Sequence, residues 1–227
     1  MKGQFAELYQ GVVDANGGKP ITAQELSEMA DKFAEIMMLY SCAINEVRTK
    51  LENLNSEFAV KATRNPISAI KSRVKAPASL FEKLKRKGLR YSEETLLNDI
   101  QDIAGIRVVC AFVDDIYMIA NMLISQDDIT LIKKKDYIKN PKANGYRSLH
   151  LVVEVPVFLS DTTKIMKVEV EIRTIAMDFW ASLEHSIRYK KIENASEYVM
   201  SELKDCADTI YETDIRMQKI RGQLWDK

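Results

Sequence analysis

Between residues 26 and 54 apolar side chains recur at steps of three and four: Leu26, Met29, Ala30, Phe33, Ile36, Met37, Tyr40, Ile44, Val47, Leu51 and Leu54. That spacing predicts one long amphipathic helix reaching about Phe58. Thr22-Ala-Gln-Glu25 just ahead of it has the form of a capping box, and Asn65-Pro66 breaks the pattern behind it. A short helix is predicted over 4–15, ended by Asn16-Gly17-Gly18. Pro77 opens a second amphipathic stretch through Leu80, Phe81 and Leu84, which Gly88 ends. Ser92 caps a further short helix through Leu96 and Leu97.

The pattern then changes period. IRVVCAF (106–112) reads as a buried strand, followed by a helix over DDIYMIANMLIS with Asp114 as its cap. ITLIKKK (129–135), SLHLVVEVPVF (148–158) and KVEVEIRT (167–174) read as strands, the last in strict alternation. IAMDFWASLEHSIRYKK (175–191) is an amphipathic helix, and 196–225 is another, with Tyr198, Leu203, Ala207, Ile210, Ile215 and Ile220 on its stripe. Helices, then strands with interspersed helices, then helices describe an α/β or α+β domain: a mixed sheet flanked by helices, with long helical extensions at both ends. The division expected is a helical extension over 1–60, a central domain over 61–192 and a C-terminal helix over 193–227. The terminal helices are placed to cover the sheet, to pair with another subunit, or both.

Composition narrows the class. A chain of 227 residues with 46% hydrophobic and 29% charged residues is an ordinary globular protein able to bury a core. No apolar run approaches the ~18 to 20 residues of a membrane span, and MKGQFAELYQ lacks the apolar core of a secretory signal. Cys42, Cys110 and Cys206 are odd in number and far apart, which excludes a disulfide scaffold and a C-x-x-C zinc site and suits a reducing cytoplasm. With only His150 and His185, a multi-histidine metal centre has too few ligands.

The net charge of zero hides an uneven distribution. Residues 61–90 carry ten Lys and Arg against the single acid Glu82, and residues 133–147 carry six against Asp136. The rest of the chain holds 17 basic and 31 acidic residues, a net charge of −14. Concentrated positive charge in a neutral protein attracts a local polyanion. A phosphorylated small molecule fits this at least as well as a nucleic acid, so RNA is not specifically indicated.

Four clusters carry candidate chemistry. On strand 167–174, Val168, Val170 and Ile172 point to a core, and Lys167, Glu169, Glu171 and Arg173 point the other way. Two carboxylates on one face can bind a divalent cation or act as a base; read alone, the same pattern describes a solvated face. In Asp102-Ile-Ala-Gly105-Ile-Arg107, Gly105 permits a tight turn and leaves Asp102 at the sheet's edge, free to reach a metal ion. A helix end with a charged pair is the plainer alternative. Asn144-Gly-Tyr146-Arg-Ser-Leu-His150 places an aromatic ring at a turn between Lys142 and Arg147, where it can stack on a base or simply pack on the sheet. On a helix from Pro77, Ser79, Lys83 and Arg86 share one face, with Arg73 and Lys75 just before it. Helix N-terminal amides, a hydroxyl and cations make a phosphate site; the alternative is a solvated basic helix. No Walker A, G-x-G-x-x-G, kinase set or Ser-His-Asp order is present. A phosphate site without a Gly-rich loop, with acids at strand edges, points to metal-assisted nucleotidyl or phosphoryl-type transfer.

In this order and spacing the four clusters resemble the small alarmone synthetases, the single-domain branch of the RelA/SpoT (p)ppGpp synthetase family. The stretches are NPISAIKSRVKAPASLFEKLKRKG, NDIQDIAGIRVVCAFVDDIY, DYIKNPKANGYRSLHL and VEVEIRTIAMDFWASLEHSIRYKK, within about residues 65–191. The resemblance implies a nucleotidyltransferase-like mixed sheet and Mg²⁺-dependent transfer of pyrophosphate from ATP to the 3′-hydroxyl of GDP or GTP, releasing AMP. Bifunctional relatives carry an additional HD hydrolase domain, for which these residues have neither room nor ligands, so synthesis alone is expected. By motif match Asp102 is the Mg²⁺ ligand, and Glu169 is the base that takes the 3′-hydroxyl proton and also touches the metal. Arg73 and Arg107 would sandwich the adenine; Lys75, Ser79, Lys83 and Arg86 would hold ATP phosphates. Tyr146 would stack on the guanine, with Lys142, His150 and Lys135 toward the acceptor's ribose and phosphates and Glu171 near the guanine nucleotide. The chain departs from the family pattern at Glu171, where many relatives have Gln, and at Asp178, where some have Asn. Members are commonly cytoplasmic homotetramers, and the terminal helices are the expected contacts.

Two other readings accompany this one. Some toxic members of the same fold transfer pyrophosphate to the 3′ end of tRNA, which calls for a basic surface that the −14 remainder disfavours. A non-catalytic nucleotide or RNA sensor would have lost Asp102 or Glu169, and both are present.

Overall fold

The computed structural model describes residues 13, 22–191 and 197–225. The helix predicted over 4–15 lies outside them apart from Val13, as does its Asn16-Gly17-Gly18 end. Among the described residues the elements run α1 (Ala23–Lys61), β1 (Ile67–Val74), α2 (Pro77–Lys87), α3 (Glu93–Asn98), β2 (Ala104–Cys110), α4 (Val113–Ile124), β3 (Thr130–Asp136), β4 (Leu149–Phe158), β5 (Thr163–Thr174), α5 (Ile175–Lys191) and α6 (Glu197–Trp225). The strands form one mixed sheet in the order β1-β2-β5-β4-β3, the mixed α/β class expected. No helix among the described residues is long and apolar enough to cross a membrane.

The local signals explain the element ends. The capping box ahead of α1 closes in both directions: the Thr22 N–H donates to Glu25 Oε2 at 2.8 Å, and the Glu25 N–H donates to Thr22 Oγ1 at 3.2 Å. Along α1 the stripe is buried at Leu26, Phe33, Ile36, Tyr40, Ile44, Val47 and Leu51. The helix continues to Lys61, beyond the expected end at Phe58. Ser92 caps α3 by accepting the Thr95 N–H at 3.0 Å. Asp114 is not the cap of α4. It lies one residue inside that helix, where Arg221 claims both its oxygens, and the neighbouring Asp115 carboxylate accepts the Phe112 N–H at 3.2 Å. Gly105 makes no turn; it sits within β2, and its φ is not positive.

By internal contacts the chain falls into two compact units. The first takes the described residues up to Arg48 with 72–106 and 154–169. Its core includes Leu80, Leu84, Leu96, Ile100 and Ile103 and a ring cluster in which Phe33 stacks on Phe81 at 6.1 Å and both meet Tyr91. The second takes 49–71, 107–153 and the described residues from 170. There α5 packs on α6 through Trp180, Ala181 and Ala207, with Tyr146, Leu203 and Ile210 against them. Arg64 and Arg221 lie over the Phe112 ring at 5.1 and 5.0 Å, each ion-paired with Asp114 or Asp115. The α6 stripe is buried only in its middle: Tyr198 and Ile220 at its ends are exposed.

Gly88 closes α2 in the left-handed conformation, φ +66°, and returns its N–H to Leu84 and Lys85 carbonyls. A Cβ there would meet nothing within 4 Å, so backbone strain is the whole cost of a substitution. Gly88→Ala should lower unfolding stability by about 1–2 kcal/mol and Gly88→Asn by less, as read by urea denaturation.

Candidate functional site

The first unit gathers an acid and its cations. Lys75 follows β1, and its N–H donates to the Ile103 carbonyl at 2.8 Å, which fastens the lead-in to α2 beside the lead-in to β2. That places Lys75 Nζ 3.2 Å from one Asp102 oxygen, while Lys83, one and a half turns into α2, lies 2.6 Å from the other. Burial pushes the Asp102 carboxyl up, but the hydrogen bonds and charges of Lys83 and Lys75 outweigh it and hold it below its ordinary value. Asp102 is therefore an anion gripped by two ammonium groups, not the free edge carboxylate expected. Ser79 and Arg86 are exposed on α2, which also carries the partly buried Lys83, and Arg73 is exposed on β1. The start of α2 has Pro at its first turn and no side-chain cap, so its amide dipole is open to an anion.

The chain leading into Asp102 is held by its carbonyls. Tyr40 of α1 donates to the Leu96 carbonyl at 3.0 Å, Lys167 of β5 to Leu97 at 3.2 Å and Lys87 of α2 to Asp99 at 3.0 Å. Burial, then the Asp102 charge, push the Tyr40 phenol up to about 12, so it remains a donor. Glu169 lies half-buried two residues beyond Lys167 on the same strand.

The second unit gathers an aromatic ring and a carboxylate under several donors. Lys142–Gly145 is a turn closed by the Gly145 N–H on the Lys142 carbonyl at 2.8 Å, and Asn144 accepts the Tyr146 N–H at 3.2 Å. The Tyr146 hydroxyl donates to Glu171 and lies 2.8 Å from His150 Nε2. Glu171 also takes Arg107 Nε at 2.8 Å, His150 at 3.2 Å and Arg173. Burial would raise the Glu171 carboxyl; the His150 hydrogen bond, Arg173, Tyr146 and Arg107 reverse this and hold it far below the usual carboxylate range. Burial and the Glu171 charge together push the Tyr146 phenol upward. Asp178, at the start of α5, pairs with Arg107 and Arg173, each at 3.3 Å, and with Lys71 at 3.7 Å. Lys142 sits over the Tyr137 and Tyr146 rings at 4.8 and 4.5 Å.

Most of the expected residues thus fall into these two groups. Arg107 belongs to the second by its contacts; carboxylates hold the edge of its guanidinium, and a planar cation so held still offers its faces for stacking. Lys135 is exposed on β3 and is not among the groups meeting Glu171. Arg173 lies on the face of β5 that the alternation predicts, beside Glu171, and is buried there, 5% exposed, between Glu171 and Asp178. Its place beside Glu171 in the alternation was the available signal. Tyr137, edge-on to Tyr146 at 6.0 Å and to His150 at 5.4 Å, had no local signal.

Among the described residues no three or more His, Cys, Asp or Glu side chains group as metal ligands. The anionic oxygens of Asp102 still fit a hard cation held by one or two carboxylates and completed by water and phosphate oxygens, the mode Mg²⁺ favours.

Residues 72–194 match the model of a region found in RelA / SpoT proteins. The GTP pyrophosphokinase YwaC of Bacillus subtilis (strain 168) is 40% identical over 200 residues, covering 88% of this chain and 95% of its own. The crystal structure of small alarmone synthetase 2 from Bacillus subtilis is similar at a TM-score of 0.77 and 41% identity, over 85% of this chain and 99% of that one. That of small alarmone synthetase 1 from Bacillus subtilis, bound to its product pppGpp, is similar at 0.78 and 36%, over 85% and 98%.

Because the Glu171 carboxyl is lowered in the folded chain, its stabilising contribution is complete above its ordinary value of 4.5 and is lost as pH falls below it. The thermal midpoint of Glu171→Gln should therefore fall less than that of the parent between about pH 7 and about pH 3, as followed by circular dichroism.

Proposed function

The chain belongs to the RelA/SpoT family, in its small alarmone synthetase branch, and from that premise we propose that it transfers pyrophosphate from ATP to the 3′-hydroxyl of GDP or GTP, releasing AMP, in the cytoplasm. The observation that carries this is the 40% identity to a GTP pyrophosphokinase over 88% of the chain. In this reading Lys75, Lys83, Arg86 and Ser79 hold the ATP phosphates. Substrate phosphate would take over one or both lysines from Asp102, which frees that carboxylate for Mg²⁺. Asp102, with Glu169, would hold the Mg²⁺, whose chemistry is neutralisation of charge on the phosphate oxygens. Arg73 and Arg107 flank the adenine.

Tyr146 is the stacking platform for the guanine, and Lys142, the exposed cation over its ring, gives way to the base and meets the acceptor's phosphates. His150 and Lys135 face the acceptor's ribose and phosphates. Glu171 is ionised and fully engaged by protein donors. Its role here is to orient Tyr146, Arg107 and Arg173. Glu169 takes the 3′-hydroxyl proton as the 3′-oxygen bonds to the β-phosphorus. The bond from that phosphorus to the α–β bridging oxygen breaks, and its electron pair leaves on AMP. Lys75, Lys83 and Arg86 neutralise the charge that moves, so positioning and electrostatics supply most of the catalysis.

The family's tetrameric assembly is part of the same proposal. Ile175, Phe179, Leu183 and Ile187 are all exposed at four-residue steps on α5, a continuous apolar stripe suited to a second copy.

Purified protein with ATP and GDP should form a guanosine tetraphosphate with stoichiometric AMP, resolved by anion exchange; absence of product while ATP binds would overturn the reading. Glu169→Gln should cut turnover by ~10²–10⁴ with ATP affinity by calorimetry nearly unchanged. Collapse of both would make Glu169 chiefly a metal or structural residue and remove it as the base. Phe179→Glu should lower the molar mass seen by light scattering; an unchanged mass removes the α5 stripe from the interface.

A further inference from the structure

The turn that presents Tyr146 is built against α6, a helix to which the reaction assigns no part. Gly145 has φ +86°, and a Cβ on it would lie 2.6 Å from the Ala207 Cβ and 3.3 and 3.4 Å from Lys204 backbone atoms of α6. Both the backbone conformation and the space therefore demand glycine, and the turn rests directly on the helix. On the other side of Tyr146, the Arg147 side chain is 12% exposed. It donates to the Gly145 carbonyl at 3.2 Å and to Asp208 of α6 at 3.1 Å, and its guanidinium lies over the Tyr211 ring at 4.4 Å. The Tyr146 ring packs on the cluster of Trp180, Ala181 and Ala207, and Trp180 donates to the Leu203 carbonyl of α6 at 2.9 Å. So the residue before Tyr146, the residue after it and the ring itself are each referred to the same helix.

Resting on the reading of Tyr146 as the guanine platform, we propose that Asp208 and Tyr211 of α6 are positioning residues that act through Arg147 to set acceptor affinity. Neither touches the Glu171 group. Their effect is to fix the peptides on either side of Tyr146. Arg147 is a nearly buried cation, and without Asp208 it must find another partner or swing toward water. Lys204 also pairs with Asp208, at 2.7 Å, but it is the planar Arg147 guanidinium that bridges that carboxylate and the Gly145 carbonyl through two of its nitrogens. Loosening the turn costs ordering free energy each time the base stacks. That raises the acceptor KM and leaves ATP binding alone.

The test is steady-state kinetics with GDP varied at saturating ATP, the converse titration, GDP binding by calorimetry and a thermal midpoint. The variants are Asp208→Asn, Asp208→Glu, Tyr211→Leu and Tyr146→Ala. Asp208→Asn and Tyr211→Leu should each raise the GDP KM and Kd about fivefold, the effect of losing the net contribution of one charge-assisted hydrogen bond in the first and of one cation–ring contact in the second, with the ATP KM unchanged. Asp208→Glu should recover most of the loss. A lowered midpoint with an unchanged GDP KM in Asp208→Asn and Tyr211→Leu would make the contact merely structural and overturn the proposal, as would equal rises in both KM values. Tyr146→Ala separates the two levels. An unchanged GDP KM there defeats the platform reading itself, whereas a raised one beside unaffected α6 variants defeats only the positioning role.

Discussion

A site for polyphosphates must hold several cations close together before any phosphate arrives. Their mutual repulsion is the constraint around which the rest of this structure is arranged. In each unit, carboxylates answer it. Asp102 holds Lys75 and Lys83; Glu171 and Asp178 hold Arg107 and Arg173, and Asp178 also holds Lys71. The charges are paired, and the proposed reaction exchanges one partner for another. An ammonium group given up by Asp102 loses little if a phosphate oxygen takes its place, because the partner changes but the pairing does not. Of the cations in the basic stretch over residues 61–90, Lys71, Lys75 and Lys83 are answered in this way.

The supports for these pairs come from elements distant in sequence. Asp102 owes its position to three carbonyl contacts from α1, α2 and β5. Tyr146 owes its position to a turn that tolerates no Cβ and to a helix some sixty residues further along the chain, as the Arg147–Asp208 separation of 61 shows. Apart from the exposed Lys87–Asp99 contact, these hydrogen bonds are partly or fully buried, where an unmade hydrogen bond is costly.

The sequence revealed these layers unequally. Local chemistry marked the element ends: Thr22 with Glu25, Pro77 with Gly88 and Ser92 are satisfied within a few residues of themselves, so a short window of sequence holds the whole cause. Alternation on β5 correctly separated Val168, Val170 and Ile172 from the glutamates. It also placed Arg173 on the glutamate face, where it meets Glu171, but gave no sign of its burial, since a charge is buried only when a partner awaits it, and that partner set includes Asp178 on another element. Asp114 failed as a cap for the same reason: Arg221, at the far end of the chain, outcompeted the local backbone. Tyr137 and the α6 supports depend on packing and on hydrogen bonds between residues distant in sequence, which no periodicity reports. The candidate clusters were legible as groups by spacing, and the pairing inside each group was not.

Thr174 ends β5, and α5 begins at the next residue, with no loop between. Its hydroxyl accepts the Met177 N–H at 3.0 Å and donates to the buried Asp214 of α6 at 2.5 Å. A joint of this kind has no slack. The start of α5 is thus fixed both to the strand carrying Glu171 and to α6. The strand that carries Glu171 and the helix that carries Asp178 therefore meet at a joint held by a single threonine, and the two carboxylates that share Arg173 lie on either side of it.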